Sequence, residues 1–254
     1  MPLLRAGRPL KAWRWVGVFG PELLLCAASG RIGPARFAWW AVWDRDAGVL
    51  RERSYRRAGP VELGAAGALS HLRVRADDVA IDLALEEDSG VEVVSPHGRS
   101  YIWTRKQGGI RAHGTVALGG RMHALDARGL IDDGAGYHAR RTAWRWSAGV
   151  GVAESGAQVA WNLVDGVHDA PEASERTVWI DGEPHEVGPV PFAPGLDAVG
   201  ELRFAAEATL ARRENLVLLR SDYEQPFGTF SGALPVVGEL REGYGVMERH
   251  EVRW

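Results

Sequence analysis

The sequence predicts an all-β protein of antiparallel strands, arranged as a barrel or a sandwich. Two patterns carry this expectation. Hydrophobicity alternates with a period of two: Val79, Ile81, Leu83 and Leu85 alternate with Ala80, Asp82, Ala84 and Glu86. Leu202, Phe204, Ala206, Ala208 and Leu210 alternate in the same way with Glu201, Arg203, Ala205, Glu207 and Thr209. Such runs are strands with one buried face and one wet face. Turn signals punctuate the chain at Ser89-Gly90, Gly108-Gly109, Gly119-Gly120, Asp165-Gly166 and Asp181-Gly182. Helical spacing is weak; only 61–72 hints at it, and Gly64 and Gly67 there argue against a helix.

In chain order, 12–19, 22–27 and 36–43 read as the first strands. In the third, Phe37, Trp39 and Trp43 share a side, which leaves Trp40 exposed or packed on another element. The alternating run at 79–86 follows, then short strands at 91–94 and 100–104. Asp132 and Asp133 before Gly134 read as a turn. Beyond them come 158–164 and 177–180, the alternating run at 201–210, then 215–220 and 246–253. The segment Tyr223 to Phe230 reads as an aromatic loop, a lid at a barrel mouth or a packed turn.

The 254 residues suffice for one large domain or two small ones, and at 46% hydrophobic they can bury a core. This composition excludes collagen-like, coiled-coil and disordered chains. A net charge of −3 gives no global attraction to nucleic acid, so no nucleic-acid partner is expected. Apolar runs are too short for a membrane helix, and the N-terminus lacks a secretory apolar core. The single cysteine, Cys26, fits a reducing compartment and reads as a buried small hydrophobe. The expected setting is the bacterial cytoplasm.

Several chemistries find no motif. There is no G-x-S-x-G elbow, dinucleotide fingerprint, phosphate loop, H-E-x-x-H or C-x-x-C, so no metal or cofactor is expected. The eleven tryptophans are the strongest compositional signal, because indoles fill cores or line apolar cavities. Positive charge is almost all arginine, with lysine only at Lys11 and Lys106, and this is read as a compositional bias.

Two segments echo each other. Residues 136–146 read GYHARRTAWRW and 243–254 read GYGVMERHEVRW. Two lobes of comparable size, each ending on such a strand, would produce the echo; the expected division is 1–146 and 147–254. Alternation puts Tyr244, Val246, Glu248, His250, Val252 and Trp254 on one apolar face, leaving Gly245, Met247, Arg249, Glu251 and Arg253 to solvent. On the earlier strand, His138, Arg140, Thr142, Trp144 and Trp146 share a side. Ionisable groups embedded among apolar ones need partners, either one another or a ligand. Asp165, His168 and Asp169 surround a turn and could form an acid–base pair.

Gly136-Tyr137-His138 running into Trp144-Arg145-Trp146-Ser147, then Asp165-Gly166 and Val178-Trp179-Ile180-Asp181-Gly182, resembles the junction of two-lobed lipocalin-like proteins. That group includes carotenoid hydratases, tocopherol cyclases and cofactor-free decalin-forming cyclases. Gly243-Tyr244-Gly245-Val246-Met247-Glu248 resembles their closing strand. Leu10-Lys11-Ala12-Trp13, with Trp43-Asp44, is similar over the whole chain to a bacterial family defined only as a domain of unknown function. The resemblance implies two consecutive lipocalin-like antiparallel β-barrel lobes. One departure stands out: the carotenoid hydratase-like proteins carry an acid shortly before the Trp, whereas 138–143 here has none.

The expected partner is therefore an apolar or amphipathic small molecule, a lipid, terpenoid or polyketide-like compound, held in a Trp-lined cavity. His138, Thr142, Trp144, Trp146 and Tyr244 are the candidate contacts. The alternative is a cofactor-free isomerase, cyclase or lyase. In it Glu248 and His250 transfer protons and Arg140 stabilises developing negative charge.

Overall fold

The computed structural model describes residues 1–57, 59–64, 69–215 and 220–253. A short hairpin pairs β1 (Leu4–Arg5) with β2 (Arg8–Pro9). The first large sheet comprises β3 (Lys11–Phe19), β4 (Leu23–Ile32), β5 (Ala35–Asp44), β6 (Val49–Tyr55), β7 (Val61–Leu63), β8 (Leu69–Ala76), β9 (Val79–Glu86), β10 (Val91–His97), β11 (Ser100–Leu118) and β12 (Arg121–Gly136). Its order is β6-β5-β4-β3-β12-β11-β9-β8-β7, with β10 also paired to β11. The second comprises β13 (Arg141–Ala153), β14 (Gln158–Asp165), β15 (Thr177–Ile180), β16 (Glu183–Glu186), β17 (Ala198–Val199), β18 (Glu201–Asn215), β19 (Arg220–Leu234) and β20 (Gly238–Arg253). Its order is β16-β15-β14-β13-β20-β19-β18-β17.

The protein is thus all-β, in two antiparallel lobes, as expected. Among the described residues the two edge strands of each sheet are not hydrogen-bonded to one another, so neither lobe is a closed barrel; in the first, β7 folds back against β4 and β5. No helix among the described residues is long and apolar enough to cross a membrane. The chain changes sheet between Gly136 and Arg141, while position 146/147 lies inside β13.

Each lobe has a filled interior. Val16, Val18, Leu25, Ala27, Trp40, Val42, Leu72, Ile81, Leu83 and Ile131 pack inside the first. Trp161, Leu163, Val178, Leu202, Phe204, Phe230 and Met247 pack inside the second. Beyond Val16 on the inner face of β3, Arg14 pairs with Asp133 at 2.8 Å and with Glu87, while Arg105 reaches Asp133 at 2.7 Å. This buried network satisfies charges that would otherwise be stranded beside the apolar core.

The opposite face of the same strands is apolar too. Leu24, Cys26 and Ala28 on β4, with Trp39, Ala41 and Trp43 on β5, point away from the first lobe's interior. They meet Trp146, Ala148 and Val150 of β13, Phe227 of β19 and Val246 of β20. The run Leu23-Leu24-Leu25-Cys26-Ala27-Ala28 loses its alternation because both faces of β4 are covered. Trp40 is buried inside the first lobe, which settles the third strand's odd indole.

Several expectations are corrected here. Gly108-Gly109 is a bulge inside β11, not a turn. Asp132 and Asp133 lie mid-strand in β12, paired with Trp15 and Arg14. Tyr223 to Phe230 belongs to β19. The hint of helix at 61–72 gives way to β7 and β8, with 65–68 outside the described residues. Within 215–220, residues 216–219 lie outside them, as does Trp254. Met247 faces the second lobe's core rather than solvent, because β20 is covered on both sides at that level.

At the β11 bulge, Gly108 sits beneath the Trp179 ring of the second lobe, and a Cβ there would collide with the indole. The missing side chain lets the lobes approach. Gly108→Val should therefore lower the unfolding free energy by about 1–3 kcal/mol, the usual cost of forcing extra carbons into a packed seam, measured by urea denaturation.

Candidate functional site

Two sheets with apolar outer faces and large, rigid indoles cannot close-pack everywhere. Between the lobes they leave a cavity of about 510 Å³, within the usual range for a small-molecule site. Trp13 and Trp15 of β3 and Trp39 of β5 line it from the first lobe. Trp144 and Trp146 of β13 line it from the second. The cavity is therefore not inside a barrel, as hollow lobes would require, but in the seam between two filled ones. Arg212 stands at its edge, bonded to Glu52 at 3.0 Å, its guanidinium 5.8 Å from the Trp39 ring centre.

One polar pole comes from the second lobe. Period-two alternation on β20 places Glu248 and His250 on the cavity side. Trp144 Nε1 donates to Glu248 Oε1 at 2.7 Å, and Tyr223 Oη lies 3.0 Å from Oε2. Tyr223 Oη also lies 2.8 Å from Gln225 Oε1, and its single proton serves one of the two. When Glu248 is protonated, it donates to Tyr223 and Tyr223 donates to Gln225. Burial pushes the Glu248 carboxyl up to about 7, against the pull of the Trp144 and Tyr223 hydrogen bonds. Among the described residues it has no ion-pair partner. His250 bonds Ser221 Oγ through Nε2 at 2.8 Å and meets the Trp144 ring edge-on at 4.4 Å. Burial lowers its pKa to about 4, so the imidazole is neutral.

The other pole is built across the seam. Lys106 of β11 holds Asp132 of β12 at 2.7 Å and Glu175, from the second lobe, at 3.4 Å. Its ammonium lies 5.6 Å from the centre of the Trp146 ring. Trp13 Nε1 donates to Asp132 Oδ2 at 3.1 Å. That reach needs Gly134, because Trp13 lies across its cross-strand partner where any Cβ would clash. Burial works against the Lys106 cation, but Asp132 and Glu175 more than offset it and its pKa rises. Burial lifts Glu175 to about 7 despite Lys106. His168 bonds Ser95 Oγ at 2.8 Å through Nδ1, and its backbone sits at φ +48°. Burial, helped by Lys106, lowers its pKa to about 3.

Of the candidates drawn from sequence, His138, Trp144, Trp146, Glu248 and His250 line the cavity. His138 is buried between Trp13 and His97, at ring distances of 5.3 and 5.6 Å. Arg140 is exposed and outside the cavity wall, because 137–140 is a sheet-to-sheet link where strand alternation does not apply. Thr142 is buried but turns its hydroxyl to Ala139 O at 3.0 Å, away from the cavity wall. Tyr244 packs farther along the seam, 5.4 Å from the Arg45 guanidinium. Glu248 and His250 are not hydrogen-bonded to each other; each has its own hydroxyl partner. Asp165 and Asp169 are exposed and neither bonds His168: Asp169 accepts from Gly166 N and the imidazole turns to Ser95, so the suggested pair does not form.

Sequence reasoning missed Tyr223, Lys106, Asp132 and Glu175. One signal was available: in a chain whose cations are almost all arginine, both lysines are buried, Lys11 at 2% and Lys106 at 5% exposed. Among the described residues no three or more His, Cys, Asp or Glu side chains converge on a position for a metal ion.

A family model described as a domain of unknown function (DUF2804) matches residues 61–254. No curated protein matches the chain in sequence. Among solved structures, the fold is similar to a protein described as AttH from Nitrosomonas europaea, with 14% identity, a TM-score of 0.52, and coverage of 95% of this chain and 92% of that one. It is also similar to kievitone hydratase from Nectria haematococca, with 10% identity, a TM-score of 0.56, and coverage of 94% and 88%. At such identities the likeness concerns the fold.

The buried carboxyl at Glu248 makes stability depend on pH with a definite sign. Its folded pKa is raised from 4.5 to about 7, so its stabilising share is complete below the unfolded value and is lost as pH rises through about 7. His250 acts oppositely, its share being lost as pH falls from 6.5 through about 4. Glu248→Gln should shrink the fall in unfolding free energy between about pH 5 and about pH 8 by on the order of 3 kcal/mol. Urea denaturation at the two pH values measures it; an unchanged difference contradicts the assignment.

Proposed function

Because the chain belongs to the DUF2804 family, a domain of unknown function, we propose its function from the geometry of the cavity. It binds an apolar or amphipathic small molecule between its lobes and, without a cofactor, moves a proton on it through Glu248. The reaction class is that of an isomerase, cyclase or lyase.

One observation carries this reading: a carboxyl without an ion-pair partner among the described residues is held on the wall of a tryptophan-lined cavity by one indole N–H and one phenol. A general acid or base works best when its pKa lies near the working pH, and burial moves Glu248 there. Tyr223 orients the carboxyl and links it to Gln225. It is a positioning residue. His250 is a neutral partner that can bond a ligand oxygen or keep Ser221 in place. The indoles supply shape and exclude water. Among the described residues no cation forms an ion pair with Glu248, which favours proton donation to an electron-rich carbon or oxygen over permanent ionisation.

The acid missing from 138–143 bears on this reading. Glu248 is the direct cross-strand partner of Trp146, so an adjacent strand supplies a carboxyl to the same wall. The name of the similar kievitone hydratase, a protein that adds water, agrees with proton-transfer chemistry. The two lobes act as units divided at 137–140 rather than at 146/147, since β13 is needed whole to build the second wall. The one buried thiol, Cys26, suits a cytoplasmic setting.

A panel of lipids, terpenoids and polyketides tests the reading by intrinsic tryptophan fluorescence for binding and mass spectrometry for conversion. Compounds that bind should shift the spectrum, and a flat response across the panel overturns the cavity as a binding site. For a converted compound, Glu248→Gln should keep binding within about threefold and lower turnover at least a hundredfold. Conversion that survives this substitution limits the protein to other acid groups. Binding without conversion of any compound supports a carrier instead. Tyr223→Phe should lower turnover about tenfold to a hundredfold with little change in affinity.

A further inference from the structure

The pole opposite Glu248 does more than neutralise Lys106. Glu175 is 3% exposed and lines the cavity. Its Oε1 faces Lys106, but among the described residues its Oε2 has no hydrogen-bond donor. Thr104 is close by, yet its hydroxyl is directed to Asp133 O at 3.2 Å. A buried acceptor left without a donor is costly, and this one belongs to a residue on the wall of a ligand-sized space. The last torsion of a glutamate is soft, so the carboxyl can adjust to a donor arriving in the cavity it lines. Asp132 next to it has a side chain 15% exposed.

We propose that Lys106, Asp132 and Glu175 form a second polar subsite that accepts a hydroxyl of the bound molecule. The ligand class is then an apolar, ring-sized body carrying two oxygen functions, one at Glu248 and one at Glu175. This rests on the reading of the cavity as a small-molecule site. Both poles flank one indole: Glu248 is paired across the strands with Trp146, and Lys106 lies over the Trp146 ring. The apolar body fits against that ring, between the poles.

The charge pattern selects a neutral hydroxyl. At this subsite an anionic group would meet Asp132 and Glu175, whose ammonium partner Lys106 is already paired with both. An ammonium would sit beside Lys106 and be repelled by it. A hydroxyl brings the one donor that Oε2 lacks and needs no counter-ion. Because Lys106 and Glu175 come from different lobes, a ligand at this subsite also joins the two walls.

Calorimetric titration with biphenyl, para-hydroxybiphenyl and para,para′-dihydroxybiphenyl tests the subsite, with para-aminomethylbiphenyl as the cationic comparison. The second hydroxyl should tighten binding to the native protein about tenfold over the single one. In Glu175→Met, which keeps the side chain's length and leaves Asp132 beside Lys106, that gain should disappear while biphenyl binds as before. Glu248→Gln should leave the Glu175-dependent gain in place. If biphenyl binds but the second hydroxyl adds nothing in the native protein, the subsite is wrong while the cavity reading stands. Tighter binding of the amine than of the diol likewise overturns it. If none of the four binds, the cavity reading fails and the subsite falls with it. Should Glu175→Met not fold, the comparison of the four probes on the native chain still decides.

Discussion

Burial of the outer faces of the two lobes against each other is the constraint on which the rest of the structure depends. An ordinary antiparallel sheet keeps one face for the core and gives the other to water. Here β4 and β5 carry apolar side chains on both, Leu25 and Trp40 inward, Leu24, Trp39 and Trp43 outward. The lobes cannot separate without exposing that second face. Gly108 beneath Trp179 marks how closely they approach where packing is tight. Elsewhere indoles of both lobes meet in the seam, Trp15 edge-on to Trp146 at 4.9 Å, and the cavity lies beside them. Binding space thus arises from the mismatch of two well-filled bodies, not from a hollow barrel.

The same seam explains the electrostatics. Charges inside the first lobe are matched: Arg14 and Arg105 face Asp133 and Glu87. Around the cavity two carboxyls are matched less fully. Glu248 has an indole and a phenol, Glu175 shares one ammonium with Asp132, and His168 and His250 are held neutral. Removing a carboxyl from water without a dedicated cation raises its proton affinity. A protein that needed only stability would replace such groups with hydrocarbon. Both sets of groups line the same tryptophan-walled cavity.

Resemblance at the level of fold carries less than the site does. Neighbours of 14% and 10% identity share the two-lobed architecture, and one fold hosts many chemistries. The residues that matter must therefore be judged by where their atoms lie. Trp144 and Trp146 hold the middle of the site because β13 pairs with both β14 and β20. Their indole N–H groups find Glu248 and Asn162, each at 2.7 Å.

The amino-acid order by itself determined the strands and much of the last one's role. Alternation is a local property with a period of two, so Val79 to Glu86, Glu201 to Leu210 and the shared side of Glu248 and His250 could be read directly. Where the backbone leaves the strand, that reading stops: Arg140 follows the pattern in sequence but sits in a link and points to solvent. Glycine and aspartate were also ambiguous. Gly108-Gly109 and Asp132-Asp133 have the chemistry of turns, yet the glycines form a bulge against β12 and the aspartates pair with strands on both sides, so both stay within long strands. Only the tertiary structure decided which apolar face meets which, and so that Lys106, 69 residues before Glu175 in the chain, would become its partner. Burial and charge pairing across a seam depend on distances between strands far apart in the chain, and no local spacing encodes them.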